Sequence, residues 1–334
     1  MVTLADVARR AGVSASTVSY VLSGKRSISK LTRERVEQAI TDLDYHPHAG
    51  ARALASSRSK VLALMVPLRS DMYLPVIMEI VTAVALAARE YDHDVLLLTG
   101  HEGTDGVRRV AGSGLADALI LMDVELDDRR IPVLHEVSTP AVLIGLPADS
   151  TGLTCIDLDF AATGAACADH LADLGHRDVA LIGESREVYR RHTGFAVRTL
   201  RGFQARAAER GLRTLHRPCD GSFTSAAGTL ARIFEERPTT TGFVIQNEAA
   251  IAPVLSLLRQ LGRIVPEENA VLAICPDQVA LQTSPQLTSV SIPAQDMGRG
   301  AVRLAMAQLQ GTSTTGSTLL PPALTVRGSS AVRS

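Results

Sequence analysis

Several features that mark other classes of protein are missing from this sequence. No stretch approaches the roughly 18 to 20 consecutive apolar residues that a membrane-spanning helix requires. The first residues, MVTLADVARRAGVS, lack the apolar core of a secretory signal peptide. These absences exclude a membrane span and argue against export, so we expect a cytoplasmic protein.

Cysteine is also scarce, and its spacing excludes the usual metal and disulfide frameworks. The four cysteines, Cys155, Cys167, Cys219 and Cys275, form no Cys-x-x-Cys pair. We expect buried thiols in a reducing compartment, with no metal and no cofactor. Motifs of common enzymes are missing too: no G-x-G-x-x-G follows a strand, and G-x-x-x-x-G-K-[ST], G-x-S-x-G and H-E-x-x-H do not occur.

What is present is an uneven distribution of charge. The 334 residues carry a net charge of −1. The first sixty residues hold ten Lys and Arg against five Asp and Glu, which leaves −6 for the remaining 274. With 46% apolar and 21% charged residues, the chain can fold into more than one globular domain. A basic N-terminal region suits DNA as a partner, although a solvated charged surface gives the same pattern.

The N-terminal region also predicts three short helices. Apolar residues recur at helical spacing in the first helix, namely Leu4, Val7, Ala8 and Ala11. Thr3 can cap this helix, Gly12 can form the turn that ends it, and Ser14 can cap a second helix. A third helix is expected after Ser29 or Thr32. The pattern predicts a helix-turn-helix, although other small three-helix units contain similar residues.

Four motifs in this region resemble the DNA-binding domain and hinge of the lactose/galactose repressor (LacI/GalR) family. They follow one another in the family's order and spacing: T-L-x-D-V-A-x-x-A-G-V-S, T-V-S, T-R-E-R-V and Y-x-P-x-x-x-A-x-x-L. The resemblance implies a transcriptional repressor that binds double-stranded operator DNA. It also implies a hinge helix whose residue Leu54 wedges into the minor groove and kinks the duplex.

The resemblance assigns DNA contacts along this region. Base-reading positions fall on Ala15, Ser16 and Tyr20. Phosphate contacts are implied for seven hydroxyl residues: Thr3, Ser14, Thr17, Ser19, Ser23, Ser29 and Thr32. His48, Ala51 and Leu54 complete the set in the hinge. Many relatives have Arg in place of Tyr20 and Asn in place of His48, so the guanine preference of Arg does not carry over. Tyr20 can instead stack, donate to a phosphate or contact a thymine methyl group.

After residue 60, short apolar runs alternate with helical patterns. The runs lie at 61–66, 95–98, 118–121, 141–145, 178–183, 242–246 and 270–275, and the helical patterns at 74–91, 161–174, 197–211, 248–261 and 294–310. Runs this uniformly apolar are typical of parallel strands that are covered on both faces. The pattern predicts two doubly wound α/β lobes.

The family resemblance continues here and covers about nine-tenths of the chain. It is carried by HLADLGHRDVALIG, RTLRGFQARAAERGL and PQLTSVSIPAQDMGRGAVRLAMAQLQG. It implies a periplasmic-binding-protein-like core with three crossovers between its lobes. A small polar effector, a sugar or sugar derivative, would bind in the cleft. The effector-binding residues that the resemblance points to are Tyr73, Met122, Asp123, Arg198, Asn247 and Asp277.

Two of these positions depart from the family pattern. Many relatives have G-[FY]-D-D where this chain has Ala-Ile-Cys-Pro-Asp, so the first ligand-binding aspartate falls on Cys275 and Asp277 remains nearby. The usual arginine falls on Thr199, with Arg198 one step earlier. One step turns a helical side chain by roughly 100 degrees. The alternative is that Arg198 and Arg201 are surface charges.

Together these inferences predict an all-α helix-turn-helix domain followed by an α/β core. The expected ranges are 1–46 for the DNA-binding domain, 47–60 for the hinge, and 61–334 for the core, with lobe 1 at about 61–158 and 289–318 and lobe 2 at about 159–288 and 319–334. We expect a nucleoid-associated homodimer without enzymatic activity. The alternatives are a solute-binding receptor, which the basic region argues against, and an α/β enzyme with an appended helix-turn-helix, which the missing motifs argue against.

Overall fold

Three short helices open the computed structural model, which describes residues 2–23, 26–45, 58–69, 72–100, 103–312 and 315–332. The helices are α1 (Leu4–Ala11), α2 (Ala15–Ser23) and α3 (Lys30–Asp42). Thr3 and Asp6 cap α1 reciprocally: the Thr3 hydroxyl accepts from Asp6 N, and Asp6 Oδ2 accepts from Thr3 N at 2.9 Å. Gly12 ends α1 with a φ of 65°, a left-handed conformation that glycine tolerates.

The three helices enclose a small apolar core. It contains Val7 and Ala8 from α1, Val18 from α2, and Val36 and Ala39 from α3. The hydroxyl of Ser29 accepts from Thr32 N and caps α3, as one of the two sequence alternatives predicted. A helix-turn-helix therefore forms around these side chains.

A six-stranded parallel sheet forms the first lobe. In spatial order its strands are β11 (Gly316–Leu320), β5 (Thr154–Leu158), β4 (Ala141–Ile144), β3 (Ala118–Leu121), β1 (Val61–Met65) and β2 (Asp94–Leu98). Helices α4 (Leu74–Glu90) and α13 (Ala294–Leu309) pack on one face. Helices α5 (Gly103–Ser113) and α6 (Ile131–Glu136) pack on the other. Both faces are covered, which explains the uniformly apolar strands.

The second lobe has the same architecture. Its strands in spatial order are β12 (Leu324–Thr325), β10 (Thr288–Val290), β9 (Ala270–Ile274), β8 (Gly242–Ile245), β6 (Asp178–Gly183) and β7 (Arg213–Pro218), and only β12 runs antiparallel to its neighbour. Helices α7 (Phe160–Asp173) and α9 (Gly194–Glu209) cover one face. The other face carries α10 (Phe223–Glu236), α11 (Ile251–Gln260) and α12 (Asp277–Leu281). A short helix, α8 (Arg186–Arg190), precedes α9.

The chain passes between the two sheets three times. The passages follow β5, β10 and β11. The predicted fold class, a helical domain followed by two doubly wound lobes, is confirmed. The return to the first lobe lies at 291–293, between β10 in the second sheet and α13 on the first.

Asp117, just before β3, holds the start of the core in place. Its carboxylate accepts hydrogen bonds from Ser59 N at 2.6 Å, from Ser59 Oγ at 2.9 Å and from Lys60 N at 2.9 Å. His93 Nε2 lies 3.5 Å from the same carboxylate. The last two residues of the predicted hinge are therefore tied to the first lobe through one side chain.

Candidate functional site

Short hydroxyl side chains cover the exposed start of α2. Ser14 Oγ lies 2.8 Å from both Ser16 Oγ and Thr17 Oγ1, and it accepts from Thr17 N at 3.2 Å. Ala15 and Ser16 are exposed beside it, and Ser19 is half-buried. A helix N-terminus that carries hydroxyl groups and small side chains can approach phosphates and base edges closely. This surface fits the groove of a DNA duplex.

Tyr20 lies at the exposed side of the same helix. It is 36% exposed, and the guanidinium carbon of Arg26 lies 5.8 Å from the centre of its ring. A basic side chain therefore accompanies the tyrosine on the surface that is predicted to meet DNA. This placement is compatible with each of the three roles predicted for Tyr20.

The other predicted DNA contacts fall into two groups. Thr3, Ser29 and Thr32 lie at helix starts, where their hydroxyls take part in capping or in hydrogen bonds with a capping residue. Those hydroxyls stabilise the helices whether or not they also meet phosphates. The side chain of Ser23 and the whole of His48, Ala51 and Leu54 lie outside the described residues. All of these DNA contacts stay predictions.

A cavity lies between the two lobes, at the carboxyl ends of their parallel strands. Its open space, including solvent at the mouth, is about 960 Å³. Three of the predicted effector residues line it: Tyr73, Met122 and Asp123. Asp123 has a φ of 53° and forms an ion pair with Arg69. The backbone oxygens of Met122 and Asp123 accept from Arg130 Nη2 at 3.0 and 3.1 Å, which fixes this loop.

Two further carboxyl groups on the cavity wall form no ion pair with a described residue. Asp157, in β5, is 3% exposed and accepts from Leu158 N at 3.0 Å. Burial raises the pKa of Asp157 to about 7. Glu248 follows β8, and burial raises its pKa to about 8. Desolvation favours the neutral form of a carboxyl group, so both groups hold a proton more readily than an exposed acid does.

An amide group on the wall offers a hydrogen-bond donor. Gln246 is 3% exposed, and its Oε1 accepts from the Tyr189 hydroxyl at 2.9 Å. Its Nε2 is buried without a hydrogen-bond partner among the described residues. Buried donors are normally satisfied, so this group suits a ligand hydroxyl or carbonyl oxygen.

The remaining predicted effector residues do not line this cavity. Asn247 is buried beside it, where Nδ2 donates to Cys219 O at 2.8 Å and Oδ1 accepts from Ala249 N at 3.0 Å. Asp277 forms a 2.7 Å ion pair with Arg327 and has a half-exposed side chain. These contacts give both residues structural partners.

Arg198 joins the two lobes. From α9 in the second lobe it donates to Leu146 O at 2.5 Å and to Pro147 O at 2.8 Å in the first. Thr199, which occupies the position of the usual arginine, is buried and donates to Phe195 O at 2.9 Å. The one-step displacement thus directs the guanidinium group to the backbone of the other lobe. Arg198 is not simply a surface charge.

Sequence reasoning missed several residues of the cavity wall. Among them are Asp157, Phe160, Glu184, Phe195, Gln246 and Glu248. Glu184 directly follows the predicted strand at 178–183, and Gln246 is the last residue of the predicted strand at 242–246, so their position at strand ends was a usable signal. Asp157 interrupts the apolar pattern of β5, and that strand was not predicted. Phe160 and Phe195 lie at the starts of helices, where only the three-dimensional packing places them beside the cavity.

Further findings concern the cysteines, possible metal sites and possible membrane-spanning helices. All four cysteines are buried thiols, and burial raises the pKa of Cys155 to about 11 and that of Cys167 to about 12. A thiol with such a pKa is a poor nucleophile at neutral pH. Across the described ranges, no group of three or more His, Cys, Asp and Glu is placed to hold a metal ion, and no helix is long and apolar enough to cross a membrane.

Comparison with known families supports both parts of the chain. Residues 3–48 match the family of bacterial regulatory proteins, lacI family. Residues 168–330 match the periplasmic binding protein-like domain. The two matched regions correspond to the helix-turn-helix unit and to most of the second lobe with the return into the first.

Individual relatives extend the similarity over nearly the whole chain. The HTH-type transcriptional regulator CelR of Thermobifida fusca is 29% identical over 322 residues, 93% of each chain. The HTH-type transcriptional regulator GalS of Salmonella typhimurium is 28% identical over 93% of this chain and 91% of its own. These relatives are regulators of transcription and not enzymes.

Solved structures show the same arrangement. A complex of the transcriptional regulator CelR with cellobiose superposes with a TM-score of 0.71 at 28% identity, over 98% of this chain and 100% of the other. A lac repressor dimer bound to operator and the anti-inducer ONPF superposes with a TM-score of 0.83 at 24% identity, over 98% of each chain. At this level of identity the similarity shows a shared fold. The chain therefore consists of a LacI-family DNA-binding domain followed by a periplasmic-binding-protein-like domain, and the relatives that match nearly its whole length are LacI/GalR-type transcriptional regulators.

Proposed function

We propose that this protein is a repressor whose affinity for its operator changes when a small polar effector binds between the lobes. The observation that carries the proposal is the lacI-family match at residues 3–48 together with the hydroxyl-rich start of α2. The proposed DNA-binding domain is 1–46, the hinge 47–60 and the effector-binding core 61–334. No catalytic step is part of this function, and the protein is expected to work in the cytoplasm on the nucleoid.

DNA binding can be tested by fluorescence anisotropy with the DNA upstream of the gene. Binding should weaken steeply as salt rises, because each phosphate neutralised by Lys or Arg releases condensed counterions. A scrambled duplex of the same length is the control and should bind at least about a thousandfold more weakly. Absent binding, or binding that ignores both salt and sequence, would overturn the proposal.

The hinge assignment is tested separately with Leu54→Ser. If Leu54 wedges between base pairs, its loss should weaken operator binding far more than binding to nonspecific DNA, since only the specific complex requires the kink. Equal losses on both duplexes would show that residues 47–60 act only as a linker.

The effector site is proposed to lie in the interlobe cavity, with Tyr73, Met122 and Asp123 in contact with the ligand. A sugar is the first candidate class, because the CelR relative is solved with cellobiose. Asn247 and Asp277 are proposed to support the cavity wall without contacting the ligand. Arg198 is proposed to act on closure of the lobes, through its hydrogen bonds to the first lobe. Ligands that bind can be found by thermal shift, because a ligand of the folded state alone raises the melting temperature.

The proposed assembly is a homodimer that pairs two helix-turn-helix units on a two-fold symmetric site. Helix α4 and the region of α12 leave a groove with exposed apolar side chains, among them Met78 and Leu86 on α4. The groove spans both lobes, so a partner seated there would sense their relative position. This face is the proposed dimer surface.

A further inference from the structure

The wall of the interlobe cavity is unusual in its charge. Four carboxyl groups line it, those of Asp123, Asp157, Glu184 and Glu248. Among the described residues of the wall, Arg191 is the one that carries a positive charge, and its Nε lies 3.7 Å from Glu125 Oε1. Asp123 is paired with Arg69, whereas Asp157 and Glu248 form no ion pair with a described residue and give the wall an excess of acceptors and negative charge once they lose their protons.

The same wall concentrates aromatic rings. The chain has five tyrosines, six phenylalanines and no tryptophan, yet Tyr73, Phe160 and Phe195 all line this one cavity. The rings of Phe160 and Phe195 lie 5.5 Å apart at an angle of 51°. The face of an aromatic ring attracts cations, and carboxylates beside such rings form a common environment for ammonium groups.

Carboxyl groups that are buried without a cation destabilise the folded protein, unless a bound ligand supplies the opposite charge. Asp157 belongs to the first lobe and Glu248 to the second, and the described residues provide neither with an ion pair. A buried carboxylate without a cation is unstable, while a paired one can be stabilising. Gln246 Nε2, the buried donor without a partner, lies on the same wall and complements the acids with a site for a ligand oxygen.

We propose that the effector carries a positively charged amino group, held by Glu248 of the second lobe and Asp157 of the first beside the rings of Tyr73, Phe160 and Phe195. The inference rests on the proposed function and names the class of its ligand: an amino sugar or another hydroxylated amine. A cation between carboxyls of opposite lobes attracts both and favours closure. Effector charge and lobe movement are thereby coupled.

The first experiment compares matched ligands. Glucose with glucosamine, galactose with galactosamine, and simple alkylamines are tested by thermal shift and calorimetry on the full-length protein at pH 7. The amino member of a pair should bind at least about tenfold more tightly, because an ionic hydrogen bond replaces a neutral one. Neutral sugars that bind as tightly as their amino counterparts, or no binding by any amine, overturn the inference.

Two substitutions test which carboxyl groups bind the amino group of the ligand. Glu248→Gln should lower amine affinity at least about tenfold and leave the affinity for neutral sugars little changed. Glu267→Gln is the matched control, because Glu267 is an exposed glutamate of the same lobe outside the cavity. Equal loss of amine and neutral ligands in Glu248→Gln would indicate a purely structural role and contradict the inference. Asp157→Asn provides an independent second variant with the same expected selectivity.

The pH dependence of amine affinity distinguishes a charged contact from a purely structural role, because a structural role would not make the affinity follow the titration of these acids. Below about pH 7 the amine must displace protons from Asp157 and Glu248, so its affinity should rise from about pH 6 until the ligand's own amino group begins to lose its proton. Tyr73 and Cys275 face Glu248, and their pKa values lie above this window because burial raises both, that of Cys275 to about 12. Arg198 and Asp159 also act electrostatically on Asp157, Arg198 lowering its pKa and Asp159 raising it.

The inference and the proposed function fail in different ways. If neutral sugars change operator affinity while amines do not, the protein is a sugar-responsive repressor and the charge assignment is wrong. If amines bind the cavity but the upstream DNA is not bound at all, the ligand class stands and the repressor function falls.

Discussion

At Gly202, packing alone requires a glycine within the motif that suggested ligand binding. It lies on α9 in the sequence Arg201-Gly202-Phe203, and a Cβ at this position would lie 2.0 Å from Ala161 O at the start of α7. Gly164 faces α9 in the same way, with Thr199 O only 2.2 Å from its own hypothetical Cβ. The two helices can approach this closely only because neither glycine has a side chain.

Gly202→Ala should therefore lower the free energy of unfolding by about 1 to 3 kcal/mol, the usual cost of overpacking. Gly228→Ala is the matched control, because Gly228 also lies in a helix but has nothing within 4 Å of its hypothetical Cβ. That change should stabilise the chain by up to about 1 kcal/mol through helix propensity. Urea unfolding measures both values, and similar effects of the two substitutions would contradict the packing argument.

The two buried acids make the stability of the ligand-free protein depend on pH. Their folded pKa values, about 7 for Asp157 and about 8 for Glu248, lie above the values of 3.8 and 4.5 for exposed groups. The folded state therefore binds more protons than the unfolded state between these limits, and stability falls as pH rises from about 4 to about 8. Asp157→Asn and Glu248→Gln should each flatten the fall in melting temperature, whereas Glu267→Gln should leave it unchanged.

At the scale of secondary-structure elements, strands with an uninterrupted apolar run were predictable, and strands whose sequence carries polar residues were not. The run 118–121 was predicted with its observed bounds, as was 178–183, because both strands are covered on both faces. The strands β7 and β11 lie at sheet edges, and their sequences RTLHRP and GSTLL carry the polar residues that an edge tolerates. β7 pairs with β6 and β11 pairs with β5 through backbone hydrogen bonds, so neither edge strand needs an apolar run in its sequence.

The candidate site was predictable to a similar degree. Tyr73, Met122 and Asp123 were expected and line the cavity, because residues after parallel strands meet at one edge of a sheet. Arg198 was expected as a ligand contact, but it donates hydrogen bonds to the backbone of the other lobe. A sequence shows the position of a side chain along a helix, whereas its partner across a cleft depends on how the lobes pack.

The link between hinge and core is an element with a testable role. Asp117 accepts two backbone N–H groups and one hydroxyl from residues 59 and 60. Asp117→Asn weakens these charge-assisted hydrogen bonds, so the segment should detach locally more often and trypsin should cut after Arg58 or Lys60 several-fold faster. Asp94→Asn is the control, since Asp94 is an exposed acid of the same lobe paired with Arg89. Equal cleavage rates in both variants would mean that Asp117 does not hold the junction.

At the scale of the whole molecule, the groove between α4 and the region of α12 is the feature that bears on assembly. Leu86 is 66% exposed on this face. Leu86→Glu should make the protein monomeric, because a charge would be buried in the dimer. Operator affinity should then fall by about a hundredfold or more, since two linked DNA-binding units gain from effective concentration.

Sedimentation velocity and anisotropy measure these two effects on the same samples. The control is Leu115→Glu, because Leu115 is 51% exposed in the first lobe and does not line the groove. A dimeric Leu86→Glu variant would place the interface elsewhere. A monomeric variant that retains full operator affinity would mean that one DNA-binding unit suffices.

The threefold passage of the chain between the sheets has a consequence for synthesis on the ribosome. The first lobe requires α13 and β11, whose last residue is Leu320, although its other strands end at Leu158. The nascent first lobe therefore remains incomplete, with an open sheet edge and with α4 alone on one face, while some 130 residues of its neighbour are translated. Both lobes can close only after α13, β11 and β12 have been made.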